Sequence, residues 1–209
     1  MNDQEPTVFI VDDDPSVLKA LARLMRSARL NAATFASPQD FLEHHDQNAS
    51  GCLVLDVAMP HINGLELQKS LAASGSELPV IFLTGHADIP MSVRAIKQGA
   101  VDFLTKPVHD SDLIEAIHGA IEKNRIARQT RVKQNELQQR LAMLTPRERE
   151  VLSQVVSGKR NRQIAADLGT MEKTIKVHRA HLMKKLKVGS LADLVKLAER
   201  LGVISSLPD

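Results

Sequence analysis

Five side chains able to handle a phosphoryl group stand where short apolar runs end. Asp12 and Asp13 close TVFIV, Asp56 closes CLVLD, Thr84 closes PVIFLT, and Lys106 follows VDFLT. Carboxylates crowded together repel one another unless a cation sits among them. A set of oxygen donors favours Mg2+ or Mn2+, and Mg2+ keeps waters and accepts a phosphate oxygen. A carboxylate is also a nucleophile toward phosphorus and forms an aspartyl phosphate. Asp56, on a central strand, is the best-placed acceptor; Lys106 could neutralise phosphate oxygens and Thr84 could donate a hydrogen bond to one. Phosphorylation adds roughly −1.5 to −2 charge and three acceptor oxygens. Those oxygens would draw Thr84 and Lys106 inward, which suits a switch. Singly, a strand-end aspartate reads as a cap and a lysine as a surface charge; only their convergence carries the chemistry.

That convergence depends on the elements between them. TVFIV (7–11), AATF (32–35), CLVLD (52–56), PVIFLT (79–84) and VDFLT (101–105) read as strands. Val17, Leu18, Leu21, Leu24, Met25 and Ala28 recur at helical spacing over 15–28. Further helices are expected from Pro38 to about His45, Gly64 to about Ala73, Ile89 to Gln98, and from Asp112 onward. Strands alternating with helices predict a parallel sheet covered on both faces, doubly wound by right-handed crossovers. In such sheets sites open beyond the carboxyl ends of the strands, so three acids, a hydroxyl and an ammonium meet at one edge. Asp14 reads as the start of the following helix, where an acid suits the dipole.

The net charge of +2 hides an asymmetry: residues 1–120 carry a net −8 and residues 121–209 a net +10. Opposite charges argue for two domains with different partners, the basic one facing a polyanion such as nucleic acid. The single cysteine, Cys52, excludes an internal disulfide and a cysteine metal site, and suits a reducing compartment. No apolar run approaches a membrane span, and the N-terminus carries no secretory pattern, so a soluble cytoplasmic protein is expected.

Residues 121–143 have no Gly or Pro, and Ile121, Ile126, Val132, Leu137 and Leu141 are too sparse for a heptad seam. They read as an exposed helical linker. From Thr145 the pattern is all helical. Thr145-Pro146-Arg147-Glu148 is a capping box with Pro at the first helical position. Its helix carries Val151, Leu152, Val155 and Val156 and stops at Gly158. A short helix with Ile164, Ala165 and Leu168 closes at Gly169; a third spans about Glu172 to Leu186, and a last one Leu191 to Leu201, stopped by Gly202. Two helices joined by a short Gly-containing turn form a helix-turn-helix pattern. His178 and His181 stand at i, i+3 without a third ligand, and the other histidines, His86 included, lack metal-ligand spacing.

VDDDP, LVLDVAMPHINGLEL and VIFLTGHADIPMSVRAIKQGAVDFLTKP together closely resemble the receiver domains of bacterial two-component response regulators, over about residues 5–120. LTPREREVL, QIAADLG, EKTIKVHRAHLMKKL and SLADLVKLA resemble the LuxR-type helix-turn-helix, over about 141–202, and the whole looks most like the FixJ branch of the FixJ/NarL regulators. The resemblance implies a flavodoxin-like α/β receiver with sheet order 2-1-3-4-5 at 1–121, a helical linker at 122–143, and an all-α four-helix domain at 144–209. It implies that a sensor histidine kinase phosphorylates Asp56; that Asp13, Asp56 and the Ala58 carbonyl bind Mg2+, with Asp12 acting through water; and that Thr84 and Phe103 form a coupled switch. It further implies a cis Lys106-Pro107 bond.

On double-stranded DNA, Lys176, Val177 and Ala180 match the family's base-facing positions. Ala180 departs from relatives with lysine there, and its neighbour Arg179 is the candidate substitute. Lys173, Thr174, Lys184, Lys185 and Asn161 are expected at phosphates. The reading is a regulator rather than an enzyme, forming a homodimer on phosphorylation and acting with RNA polymerase as an activator. Two rivals remain. Asp12-x-Asp14 with Thr84 and Lys106 also looks like a haloacid-dehalogenase-type phosphohydrolase, which leaves Asp56 unexplained and wants a later acidic pair that is missing. The other is a regulator whose receiver is merely structural.

Overall fold

The computed structural model describes residues 5–46, 49–85 and 88–200, in two compact units, Met1–Thr130 and Arg131–Asp209. The expected helix stop at Gly202 and the residue His86 lie outside the described residues.

The first unit holds β1 (Thr7–Val11), α1 (Pro15–Ser27), β2 (Asn31–Phe35), α2 (Pro38–His44), β3 (Gly51–Leu55), α3 (Gly64–Ala73), β4 (Val80–Thr84), α4 (Ile89–Lys97) and β5 (Asp102–Thr105). The strands form one parallel sheet in the order β2-β1-β3-β4-β5, as the resemblance implied. Alternate residues of each strand point to opposite faces. Val8, Ile10, Cys52, Val54, Ile81 and Leu83 pack against Leu21 and Met25 of α1 and against Leu113, Ile117 and Ala120 of the helix after β5. Phe9, Val11, Leu53, Leu55 and Phe82 face Phe41 of α2, Leu67 and Leu71 of α3, and Ala95 of α4. Two covered faces explain why β1, β3 and β4 are near-continuous apolar runs.

Local chemistry starts the helices where the site needs them. Asp14 caps α1, accepting from the Ser16 N–H at 2.7 Å, which gives that third acid its structural role. Asn63 and Glu66 form a capping box on α3. A Cβ on Gly64 would run into the carbonyl oxygen of Asp56, so only glycine lets α3 begin this close to the acid.

Helix α5 is one 33-residue helix, Asp110–Ala142, so the helical linker is continuous with the helix that follows β5, and the first unit extends along it to Thr130. Asn124 is buried at 2% exposure. Its Oδ1 accepts from the Gly51 N–H at 3.1 Å and its Nδ2 donates to the Glu77 carbonyl at 3.0 Å. Arg128 donates to the Ala49 carbonyl at 3.0 Å. Residues expected in an exposed linker therefore close the receiver's own backbone hydrogen bonds.

The second unit contains the end of α5, then α6 (Pro146–Val156), α7 (Asn161–Asp167), α8 (Glu172–Leu186) and α9 (Leu191–Arg200). Leu144, Val151, Leu152, Val155, Ile164, Ala165, Ile175, Leu182, Leu186 and Leu194 form its core. The expected four-helix domain is present. Among the described residues no helix is long and apolar enough to cross a membrane.

Candidate functional site

The sheet delivers the acids by running its ladder past the strand ends. The Asp12 N–H donates to the Phe35 carbonyl and the Asp56 N–H to the Val11 carbonyl, at 3.2 and 3.0 Å. The Lys106 N–H donates to the Thr84 carbonyl at 2.9 Å, which ties the fifth strand's end to the fourth's. One carboxylate oxygen from each of Asp12, Asp13 and Asp56 lies within 4.8 Å of the others, the one such cluster among the described residues. Asp12 and Asp56 are buried, and Asp13 faces solvent.

Lys106 reaches into this cluster. Its Nζ stands 2.6 Å from Asp12 Oδ2 and 3.3 Å from Asp56 Oδ2. Asp56 Oδ1 accepts from the Val57 N–H at 2.7 Å and from the Ala58 N–H at 3.4 Å, so the turn carrying the Ala58 carbonyl is held beside the acids. Burial pushes the Asp12 carboxyl above its ordinary range, and the Lys106 ammonium and Asp14 N–H only partly restrain it. Burial would lower the Lys106 ammonium, but the Asp12 and Asp56 carboxylates outweigh it and raise it overall. One lysine against three acids leaves the cluster short of positive charge. The hard oxygen donors fit Mg2+ or Mn2+, an ion that would complete the balance. Thr84 is fully buried at the end of β4. Phe103 packs on Phe82 with ring centroids 5.9 Å apart, one strand over from Thr84. Lys106-Pro107 is cis.

In the second unit α8 is two-faced. Ile175, Leu182 and Leu186 are buried, while Lys173, Lys176, Val177, Ala180, His181 and Lys184 are exposed at helical spacing along one side. Val177 is 47% exposed, apolar surface left open on an otherwise charged face. Lys176 is paired loosely with Glu172 at 3.3 Å on the surface, and Thr174 is half-buried. Two expected contacts are placed differently. Lys185 turns inward, 2.6 Å from Oε2 of the buried Glu148 and 3.2 Å from the Met143 carbonyl. Its ammonium compensates an interior acid instead of standing free toward phosphates. Arg179 donates through Nη1 to Asn161 Oδ1 at 2.6 Å, joining the middle of α8 to the first residue of α7.

Sequence reasoning missed the second partner of Glu148. Its Oε2 accepts from the Thr145 N–H at 2.8 Å, as the capping box required, and also from Lys185. Lys185, with the Thr145 donors, pulls the Glu148 carboxyl down to about 2. It missed Asn124 too, although that residue continues the Leu113, Ile117, Ala120 face of α5.

The comparisons match each unit to a known family. A family profile described as "Response regulator receiver domain" matches residues 8–118, and one described as "Bacterial regulatory proteins, luxR family" matches residues 142–198. The response regulator protein TmoT of Ectopseudomonas mendocina is 47% identical over 201 residues, 96% of this chain and 91% of its own. The transcriptional regulatory protein FixJ of Azorhizobium caulinodans is 41% identical over 196 residues, 94% of this chain and 93% of its own. The solved structure of the response regulator StyR matches with a TM-score of 0.88 at 47% identity, covering 94% of this chain and 100% of that one.

Proposed function

The chain belongs to the FixJ/NarL family of two-component response regulators, a receiver domain joined to a LuxR-type DNA-binding domain, and from that premise we propose that phosphorylation of Asp56 controls its binding to double-stranded DNA. The observation that carries this is the three-acid cluster with Lys106 inside it. In the reaction an Asp56 carboxylate oxygen attacks the phosphorus of a phosphohistidine on a partner kinase. A P–O bond forms, the P–N bond breaks, and the imidazole leaves with the electron pair and takes up a proton. Asp12, Asp13, Asp56 and the Ala58 carbonyl would hold Mg2+, which supplies positive charge against the phosphoryl oxygens. Lys106 already lies within reach of Asp56 and would move its ammonium onto a phosphoryl oxygen. Thr84 would donate its hydroxyl to another, and Phe103 would follow into the space Thr84 vacates.

The output follows from surfaces. Ile89, Val93 and Ile96 expose apolar area along α4, at 80%, 46% and 47%. Pairing of phosphorylated receivers through α4, β5 and the start of α5 would cover it and give a homodimer. Two copies of α8 would then meet two half-sites about one helical turn apart, Lys176 and Val177 reading base edges and Lys173, Thr174 and Lys184 meeting phosphates. The dimer would act in the cytoplasm, recruiting RNA polymerase as an activator. It is a regulator whose only chemistry is its own phosphotransfer and dephosphorylation.

DNA affinity and oligomeric state, measured before and after treatment with an acyl phosphate and Mg2+, test the proposal. Treated protein is expected to dimerise and bind more tightly. Equal values in both samples would overturn the switch.

A further inference from the structure

Arg179 is held in place without being neutralised. Its Nη1 donates to Asn161 Oδ1 at 2.6 Å, and no carboxylate among the described residues forms an ion pair with it. Several cations of this unit are matched to acids, Lys176 to Glu172, Lys185 to Glu148, Lys159 to Asp167 and Arg147 to Glu150; Arg179 is not among them, and it is bonded to a neutral side chain instead. A guanidinium is a donor only, with five N–H groups in a fixed fork. Facing it, Asn161 must present its oxygen, which leaves the two N–H groups of its own Nδ2 directed elsewhere, and no other bond is made by that side chain among the described residues. The pair thus offers donors from two helices and one uncompensated charge, fixed to each other.

Its position indicates what the donors meet. The exposed stripe of α8 runs through Lys173, Lys176, Val177, Ala180, His181 and Lys184, and half-buried Arg179 lies on the flank toward α7. When the second helix of such a motif enters the major groove, the first crosses the sugar–phosphate backbone. A fork beside planar donors is suited to a phosphate diester.

We propose that Arg179 and Asn161 act as a single clamp on one DNA phosphate, and that Arg179 does not replace the base contact missing at Ala180. This rests on the DNA-binding reading above.

The test is a double-mutant cycle in the full-length phosphorylated protein: Arg179→Ala, Asn161→Ala and both together. Affinity is measured against salt on a duplex selected from a random pool and on a scrambled duplex. Arg179→Ala is expected to weaken both duplexes by a similar factor, roughly tenfold, and to reduce the magnitude of the salt slope by about 1. Asn161→Ala is expected to cost less, and the double variant no more than Arg179→Ala alone. Arg179→Lys, which keeps the charge and the helix, is expected to retain most of the salt slope while losing the coupling to Asn161. Additive losses would overturn the clamp. So would an Arg179→Ala protein that reselects a changed base at one position with an unchanged salt slope, since that is a base reader. A wild-type chain that binds neither duplex would instead remove the DNA-binding reading itself.

Discussion

Each unit buries carboxylate against a lysine, and the two contacts differ in stoichiometry. In the second unit one acid meets one ammonium: Glu148 takes Lys185 at 2.6 Å and the Thr145 N–H at 2.8 Å on the same oxygen. In the first unit Lys106 alone serves Asp12 and Asp56, with Asp13 beside them. The consequences are opposite in sign. Glu148 is held down at about 2, whereas Asp12 is pushed up by burial that Lys106 cannot fully offset. A buried acid with a closed set of partners is a clasp; one in an unbalanced crowd is a site waiting for charge. The same residue types thus serve stability in one unit and chemistry in the other.

The sharpest way to break that distinction is to delete one acid from each. Asp56→Asn is expected to abolish acyl-phosphate labelling, roughly 100-fold or more below wild type. It should melt no lower than wild type, because removing one of several like charges relieves repulsion. Glu148→Gln should do the reverse. Labelling at Asp56 is expected to be unchanged, while the second unit loses about 2–3 kcal/mol in denaturant unfolding, since Lys185 is left without its acid and the capping box is weakened. An Asp56→Asn protein that unfolds as readily as Glu148→Gln would show that both clusters are structural.

Addition of Mg2+ sharpens the contrast further. A ligand that binds only the folded state stabilises it by mass action, about 1–3 kcal/mol at tens to hundreds of times its dissociation constant. The first unit's melting temperature should therefore rise with Mg2+, and Asp13→Asn should blunt the rise. The second unit's transition should stay where it is.

The acids of the first unit were legible because strand ends converge by topology alone: once five parallel strands are assigned, Asp12, Asp13, Asp56, Thr84 and Lys106 have nowhere else to go. The clasp was only half legible. Thr145 and Glu148 are three residues apart and read as a cap, but Lys185 lies far along the chain and its charge argued for solvent. Nothing in helical spacing says that a lysine beside Leu186 sends its ammonium to a buried acid. Asn124 was hidden differently. It continues the apolar face of α5 within a stretch that read as an exposed helical linker; in the fold it satisfies the Gly51 N–H and the Glu77 carbonyl. Contacts of the first unit likewise run along α5 beyond 121, where the apolar residues thin out before the packing does.

Acid titration gives the smallest expected effect and separates the two clusters without a metal or a phosphate. A carboxyl whose folded value lies below its unfolded one contributes stability above the unfolded value, and that stability is lost as pH falls toward the folded value. For Glu148 the window runs from 4.5 down to about 2. Lowering pH from 5 to 3 should therefore remove about 1–2 kcal/mol through this residue. Other acids titrate over the same range, so the measurement is the difference between wild type and Glu148→Gln in the second unit's unfolding at each pH. That difference should shrink steadily as pH falls and approach zero near the bottom of the window. Asp12 runs the other way, because protonating an acid whose folded value is raised relieves a cost. An Asp12→Asn protein compared in the same manner should show its largest stabilisation over wild type near neutrality, with the advantage fading on acidification. If both differences had the same sign near neutrality, the two lysine–carboxylate contacts would be of one kind.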